Sequence, residues 1–388
     1  MASIVSHTNS SLAIPPASPK LLGDVYESEV TPGSGAFLVV APRAAITFEQ
    51  FQTIAPNRSV ALDGLVKGKS QDDLKRCLFN FNHHEDVDRD ITLCTSQQVA
   101  VALKKGLFQF LLDEGVPNYR VFVNDPDPDS ALASALLLYP DEIKDAVAAH
   151  RLLSLVGELD VSAGVHGPEV HSLLMREGAW IFEPYYRAVP RLYDMNGYGV
   201  AQVLLEQHSR IRSFLLGRGD TAPVRADSET LYDGKGWMLI KELGPFARLK
   251  VFQDRTLEGL VVLKGESEHG YRYSAVRNSR YSAFPLLLLT DVLNRCETLL
   301  ERGSSDSLLS SITLNNNSFW IELAETPTSV RTPWGGGNGV IGCLRQHGSL
   351  ILPSLIGPLV DRFMCDLARN GQSYEAANLA ELMHPRLQ

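Results

Sequence analysis

VFVNDPDPDSALASA, residues 121–135, is the stretch from which the fold can be worked outward. An apolar run (Val121, Phe122, Val123) breaks into aspartates at alternate positions, Asp125, Asp127 and Asp129, and then into an alanine- and leucine-rich helical pattern. That order is strand, acidic loop, helix. Alternate carboxylates on a loop can face two neighbouring positions, which suits a pair of divalent ions about 3.5–4 Å apart sharing a nucleophilic water. A proline-stiffened, solvated turn would account for PDPD by itself. The strand before it and the helix after it favour the functional reading.

Upstream, FNHHED (residues 81–86) ends another apolar run, Leu78, Phe79 and Phe81, in the pair His83 and His84. Thr95 and Ser96 read as the N-cap of a helix over 97–112. Carboxylates on one strand end and imidazoles on another make a metal site if a parallel sheet sets the two strands side by side. Earlier still, GAFLVVA (35–41) reads as a buried strand and 46–54 as an amphipathic helix. SVAL (59–62) reads as a second strand that ends at Asp63 and Gly64. An aspartate there lies where open α/β sheets bind ligands, although the pair taken alone reads first as a plain Asp-Gly turn. Residues 70–75 read as a helical turn. Strands alternating with helices predict an α/β fold, a largely parallel sheet with flanking helices.

Downstream, a predicted helix over 143–159 leads to Asp160 at a glycine-flanked turn, and the aromatic group Trp180, Phe182, Tyr185 and Tyr186 reads as packing. A helix over 200–216 closes this part, and the polar stretch 220–233 reads as a linker. Beyond it, β-like runs at 238–240, 249–252, 260–263, 271–276, 312–314 and 319–323, with helices over 285–301, 354–370 and 373–382, predict a smaller α+β domain. The expected division is a mobile arm at 1–22, a first domain at 23–220 and a second at 234–388.

The chain's 388 residues exceed the size at which a single core stops growing. A net charge of −9 without any block of Lys or Arg argues against duplex nucleic acid as a partner and favours a small substrate. Five widely spaced cysteines without a CxxC pair argue against a disulfide framework or zinc knuckle and predict a cytoplasmic protein. Neither a signal peptide nor an apolar run of membrane-spanning length is expected, so no membrane partner is. A GxSxG elbow is absent, and no Lys-Ser/Thr follows the triple glycine at 335–337, which argues against a serine hydrolase and a P-loop.

PDPDSALASA resembles the first motif of the DHH phosphoesterase superfamily, notably its pyrophosphatase and oligonucleotide-phosphatase branches. FNHHED resembles the signature Asp-His-His, with Asn82 in the aspartate position. YSAVRNS (273–279) and WGGGNGVIG (334–342) are similar to the arginine-bearing strand and glycine cluster of the superfamily's associated domain. The matches span residues 60–345. The motif order is reversed here, Val123 falls near the place of a usual histidine, and Asn338 stands where the glycine cluster offers His. Asn124 or Asp125 is the candidate to replace the missing histidine.

The resemblance implies metal ligands among His83, Asp125, Asp127, Asp129, Asp63 and Asp160, with His84 and Asp86 in catalytic roles. It implies substrate binding by Arg277, Gly335, Gly336, Gly337 and Asn338, with Arg277 gripping an anionic group. Histidine ligands favour manganese, cobalt or iron over magnesium. The implied function is metal-dependent hydrolysis of a phosphoester or phosphoanhydride of a small anionic substrate in an interdomain cleft, with room for a homodimer. Two alternatives stay open: a non-catalytic ligand-binding or regulatory protein on a degraded DHH fold, and a metalloenzyme of different chemistry on that scaffold.

Overall fold

A computed structural model of the chain describes residues 21–88, 91–140, 146–267, 270–279, 282, 284–301, 334–336, 340–343 and 348–369. It divides into two compact units: Met1–Val87, Leu93–Leu153 and Ile181–Asp220 form the first; Asp88–Thr92, Ser154–Trp180 and Thr221–Gln388 form the second. Residues 88–92 and 154–180, inside the expected first domain, thus group with the second unit.

The first unit is built on a six-stranded sheet of order β1-β2-β8-β3-β5-β4. Its strands are β1 (Tyr26–Glu29), β2 (Ala36–Val40), β3 (Ser59–Leu62), β4 (Gln71–Asp73), β5 (Leu78–Phe81) and β8 (Tyr119–Val123). The four inner strands run parallel, and β1 and β4 join them antiparallel at the edges. The inner strands read AFLVV, YRVFV, SVAL and LFNF and are almost wholly buried, because a parallel sheet is covered on both faces. YESE and QDD at the edges carry charge, which discourages further strand pairing. The helical turn expected at 70–75 is therefore corrected to β4: polar residues suit a half-solvated edge strand, and pairing with β5 decides the matter.

Helix α1 (Phe48–Ile54) starts with a capping box between Thr47 and Gln50 and buries Phe48, Phe51 and Ile54 against one sheet face. There the Phe51 and Phe122 rings meet edge-on, 5.4 Å between centroids. The helix expected over 97–112 is shorter. α2 (Thr95–Lys104) stops where Gly106 turns left-handed at φ 94°, and a single turn, α3 (Leu107–Phe110), follows. A hairpin of β6 (Leu112–Asp113) and β7 (Val116–Pro117) then turns through Glu114 and Gly115 at φ 49° and 87°, the left-handed pair that two-residue hairpins need.

α4 (Pro128–Leu138) is buried from Asp129 to Leu138, and its small residues let it lie against α2 and on strands β2, β3 and β8. α5 (Ala146–Val161) counts with the second unit from Ser154, where α6 (Leu173–Ile181) also mostly lies. α7 (Glu183–Ala188) and α8 (Gly197–Leu215) complete the first unit, α8 packing on α4.

The second unit holds another six-stranded sheet, order β13-β14-β12-β11-β10-β9. Its strands are β9 (Ser228–Asp233), β10 (Trp237–Glu242), β11 (Gly259–Ser267), β12 (Gly270–Arg277), β13 (Trp334–Gly336) and β14 (Val340–Cys343). Only β10 and β11 pair in parallel. Parallel neighbours need a crossover, and α9 (Ala247–Asp254) supplies it; the β-like run expected at 249–252 is part of that helix. α10 (Leu286–Glu301) and α11 (Pro353–Arg369) belong with the opposite face, where Trp237, Leu239, Val261, Phe284, Val292 and Phe363 pack together. The runs expected at 312–314, 319–323 and 373–382 lie outside the described residues. The whole is α/β, a largely parallel sheet with flanking helices, followed by an α+β domain. Among the described residues no helix is long and apolar enough to cross a membrane.

Candidate metal centre

Strands β8, β3 and β5 are sheet neighbours that run the same way, so their carboxyl ends share one edge. The middle strand delivers Asp63. On one side β5 delivers His83 and His84, and on the other β8 delivers the DPDPD loop. Asp63 and Gly64 do form a turn, with φ 51° and 82°, but the aspartate points inward and is 5 % exposed. A Cβ on Gly64 would lie 3.4 Å from the His84 ring, so glycine here serves both the left-handed backbone and the close approach of the imidazole.

Asp63 is the hub. Its Oδ1 lies 2.7 Å from His84 Nε2 and 3.4 Å from His83 Nε2, and it accepts the Thr95 hydroxyl at 3.1 Å. Its Oδ2 accepts the Ser130 hydroxyl at 2.9 Å. Burial alone would raise this carboxyl, but hydrogen bonds from His83 and His84, together with their charge when protonated, hold it well below the usual carboxylate range. The two rings lie 4.4 Å apart; His83 is fully buried, whereas a third of the His84 side chain stays open.

Asp63, His83 and His84 each offer a ligand atom within 4.8 Å of the others. The donors suit an ion: neighbouring ligands on an octahedron with bonds near 2.1 Å stand about 3 Å apart, close to the 2.7 and 3.4 Å separations around Asp63. Asp129 Oδ2 adds a carboxylate 3.7 Å from His83 Nε2. Two imidazoles with carboxylates are a donor set for a borderline divalent transition ion.

Asp129 has another task. Its two oxygens accept the amides of Thr95 and Ser96 at 2.7 and 2.9 Å, so the first turn of α4 caps the start of α2. The predicted N-cap at Thr95 and Ser96 is corrected: Cys94 is the N-cap residue and makes no side-chain capping bond. Burial, then the Asp129 charge, push the Cys94 thiol upward, which leaves it an unreactive packing group. Asp127 is the N-cap of α4, accepting the Ser130 amide at 2.8 Å; burial, and then the Asp127 charge, raise the Tyr186 hydroxyl.

Asp125 is exposed as a residue, yet burial of its carboxyl and the neighbouring Asp63 charge push it up to about 6. The Asp63 charge raises it because two nearby carboxylates disfavour ionising together, and a bound cation would lower it. Asn124 ties β8 to the loop after β2, its amide donating to the Ala44 carbonyl at 2.8 Å, while Val123 is buried within β8. The Pro126 carbonyl accepts from Gln207 on α8 at 2.8 Å, anchoring the acidic loop from behind.

Asn82 has a physical reason to differ from aspartate. Its amide donates to the carbonyls of Val66 (3.3 Å) and Gly68 (2.7 Å), while its Oδ1 accepts the His84 amide at 3.1 Å. A carboxylate could not donate to those carbonyls. Asp86 is exposed, in left-handed backbone at φ 57°.

The other expected residues lie in the second unit. Asp160 falls in the last turn of α5 rather than in a glycine-flanked turn, because the helix runs on to Val161. Arg277 ends β12 and is 5 % exposed. Gly335 and Gly336 sit in β13, paired with Gly342 and Ile341, while Gly337 and Asn338 lie outside the described residues. Sequence reasoning missed the Thr95 and Ser130 hydroxyls on Asp63. At helix starts such residues read as caps, which hides a bond to a distant carboxylate.

Comparison with protein-family models, curated proteins and solved structures gives no match for this chain.

Proposed function

We propose that this protein is a metal-dependent hydrolase of a phosphoester or phosphoanhydride in a small anionic substrate, its first unit a DHH-like domain with motifs in rearranged order. The observation that carries this reading is the convergence of Asp63, His83 and His84 from adjacent parallel strands. Chain order matters little for such a site, because the sheet brings three carboxyl ends to one edge whichever strand comes first.

In this reading Asp63, His83 and His84 hold a divalent ion, manganese being the expected one, with Asp125 and Asp129 as further carboxylates. Such an ion supplies Lewis acidity toward a phosphoryl oxygen and a water nucleophile at neutral pH. Thr95 and Ser130 keep the Asp63 carboxylate in one orientation, as partners behind a metal ligand do. His84, the more open of the two rings, is the one assigned to the leaving phosphate oxygens.

A second reading, ion or ligand binding without turnover, is favoured by one specific observation: Asp127 and Asp129 both accept amides at helix starts. The test is metal content by mass spectrometry on protein purified without chelator, together with manganese-dependent phosphate release from pyrophosphate, a dinucleotide and an aryl phosphodiester. Stoichiometric metal with turnover is the expected result. Metal without turnover overturns the hydrolase reading in favour of ion binding or a metalloenzyme of different chemistry, and absence of both overturns the hydrolase reading outright.

A further inference from the structure

A cavity of about 360 Å³ opens in the first unit, away from the candidate centre. Its walls include Ala100 and Leu103 of α2, Phe108 of α3, Leu136 of α4 and Leu153 of α5, an apolar set. Two of the lining groups are polar, Lys104 and His150, and their nitrogens stand 3.2 Å apart. An ammonium can only donate, so the imidazole Nε2 is the acceptor and the ammonium keeps further N–H groups for another one. We propose that this cavity binds an amphipathic monocarboxylate, the apolar body among the helices and the carboxylate on Lys104.

Size, lining and charge each support that ligand class. The volume falls in the range of small-molecule sites, which combine apolar walls with few placed polar groups. Among the described lining residues the one formal charge is the positive one of Lys104, which complements an anion and opposes a cation. Thr95 at the candidate centre and Lys104 at the cavity stand nine residues apart on α2, about 13 Å along the axis, so the ligand occupies a site of its own. The proposal therefore stands or falls independently of the hydrolase reading.

The test is calorimetric titration of the full chain with octanoate, octylamine and octanol. Saturable octanoate binding at one site is expected, with octanol weaker and octylamine silent. Lys104→Met should weaken octanoate at least fivefold, and Ala100→Trp, which fills the cavity, should abolish it. Melting curves check that both variants fold, and should Ala100→Trp fail, Lys104→Met alone decides. Octylamine binding as tightly as octanoate, unchanged octanoate affinity in a folded variant, or no octanoate binding at millimolar concentration would each overturn the proposal.

Discussion

Each unit buries a carboxylate, and the two are satisfied in different ways. In the second unit Glu297 on α10 is 1 % exposed; its oxygens accept the Ser349 hydroxyl and, at 3.0 Å, the Leu350 amide. Those bonds tie the segment before α11 to the core. In the first unit Asp63 is met by two imidazoles and two hydroxyls at the open edge of a parallel sheet. A backbone amide and a serine keep a carboxylate in place, whereas imidazoles beside it can turn their lone pairs to a shared cation. What surrounds a buried charge therefore tells more about its role than the depth of burial does.

The sharpest way to break this contrast is to neutralise both carboxylates. Asp63→Asn should strip the metal and lower phosphate release about a thousandfold, the several kcal/mol of transition-state stabilisation an ion supplies. Glu297→Gln should leave metal content and turnover alone while costing about 1–3 kcal/mol of stability, read from denaturant melts. Equal effects of the two variants on metal content would erase the distinction.

Asn82→Asp restores the Asp-His-His triplet of the resembled family. It should nonetheless lower stability by about 1–3 kcal/mol, because the carbonyls of Val66 and Gly68 lose their donor. A melt showing unchanged or higher stability would mean that the loop does not depend on the Asn82 amide.

The gentlest probe is His208, a fully buried polar group on α8. Its Nε2 lies 2.9 Å from the Ser134 hydroxyl, and burial, then Arg212, push its pKa down to about 3 from 6.5. As pH falls below 6.5 the unfolded chain takes up the proton first. The contribution of a neutral His208 is thus complete above pH 6.5 and fades as pH falls toward about 3, at roughly 1.4 kcal/mol per unit. Urea melts at pH 7 and pH 5 should show a smaller acid loss for His208→Gln than for the parent chain. Equal losses would show that His208 does not set the slope.

Much of the first unit was legible because inner parallel strands are continuous apolar runs: GAFLVVA, SVAL and YRVFV stand out against polar neighbours. The histidine pair and the acidic loop were legible as strand-end residues for the same reason. Less legible were elements whose residues tolerate two states. QDD suits a turn or an edge strand, LKVF suits a strand or a helix, and in each case pairing decided. The α2 boundary moved because one glycine at a left-handed φ outweighed an unbroken apolar pattern.

Local pattern alone determined where strands end and which of those ends carry carboxylates or imidazoles, since burial of β2, β3, β5 and β8 demands apolar residues and the polar ones fall just beyond. Only tertiary structure decided which donors meet. The strand order β8-β3-β5 made Asp63 the centre, sent the Asp129 oxygens to the start of α2, and gave the Asn82 amide two carbonyls to hold. Those choices depend on which strands and helices become neighbours, and a short sequence window holds no information about contacts made across dozens of residues.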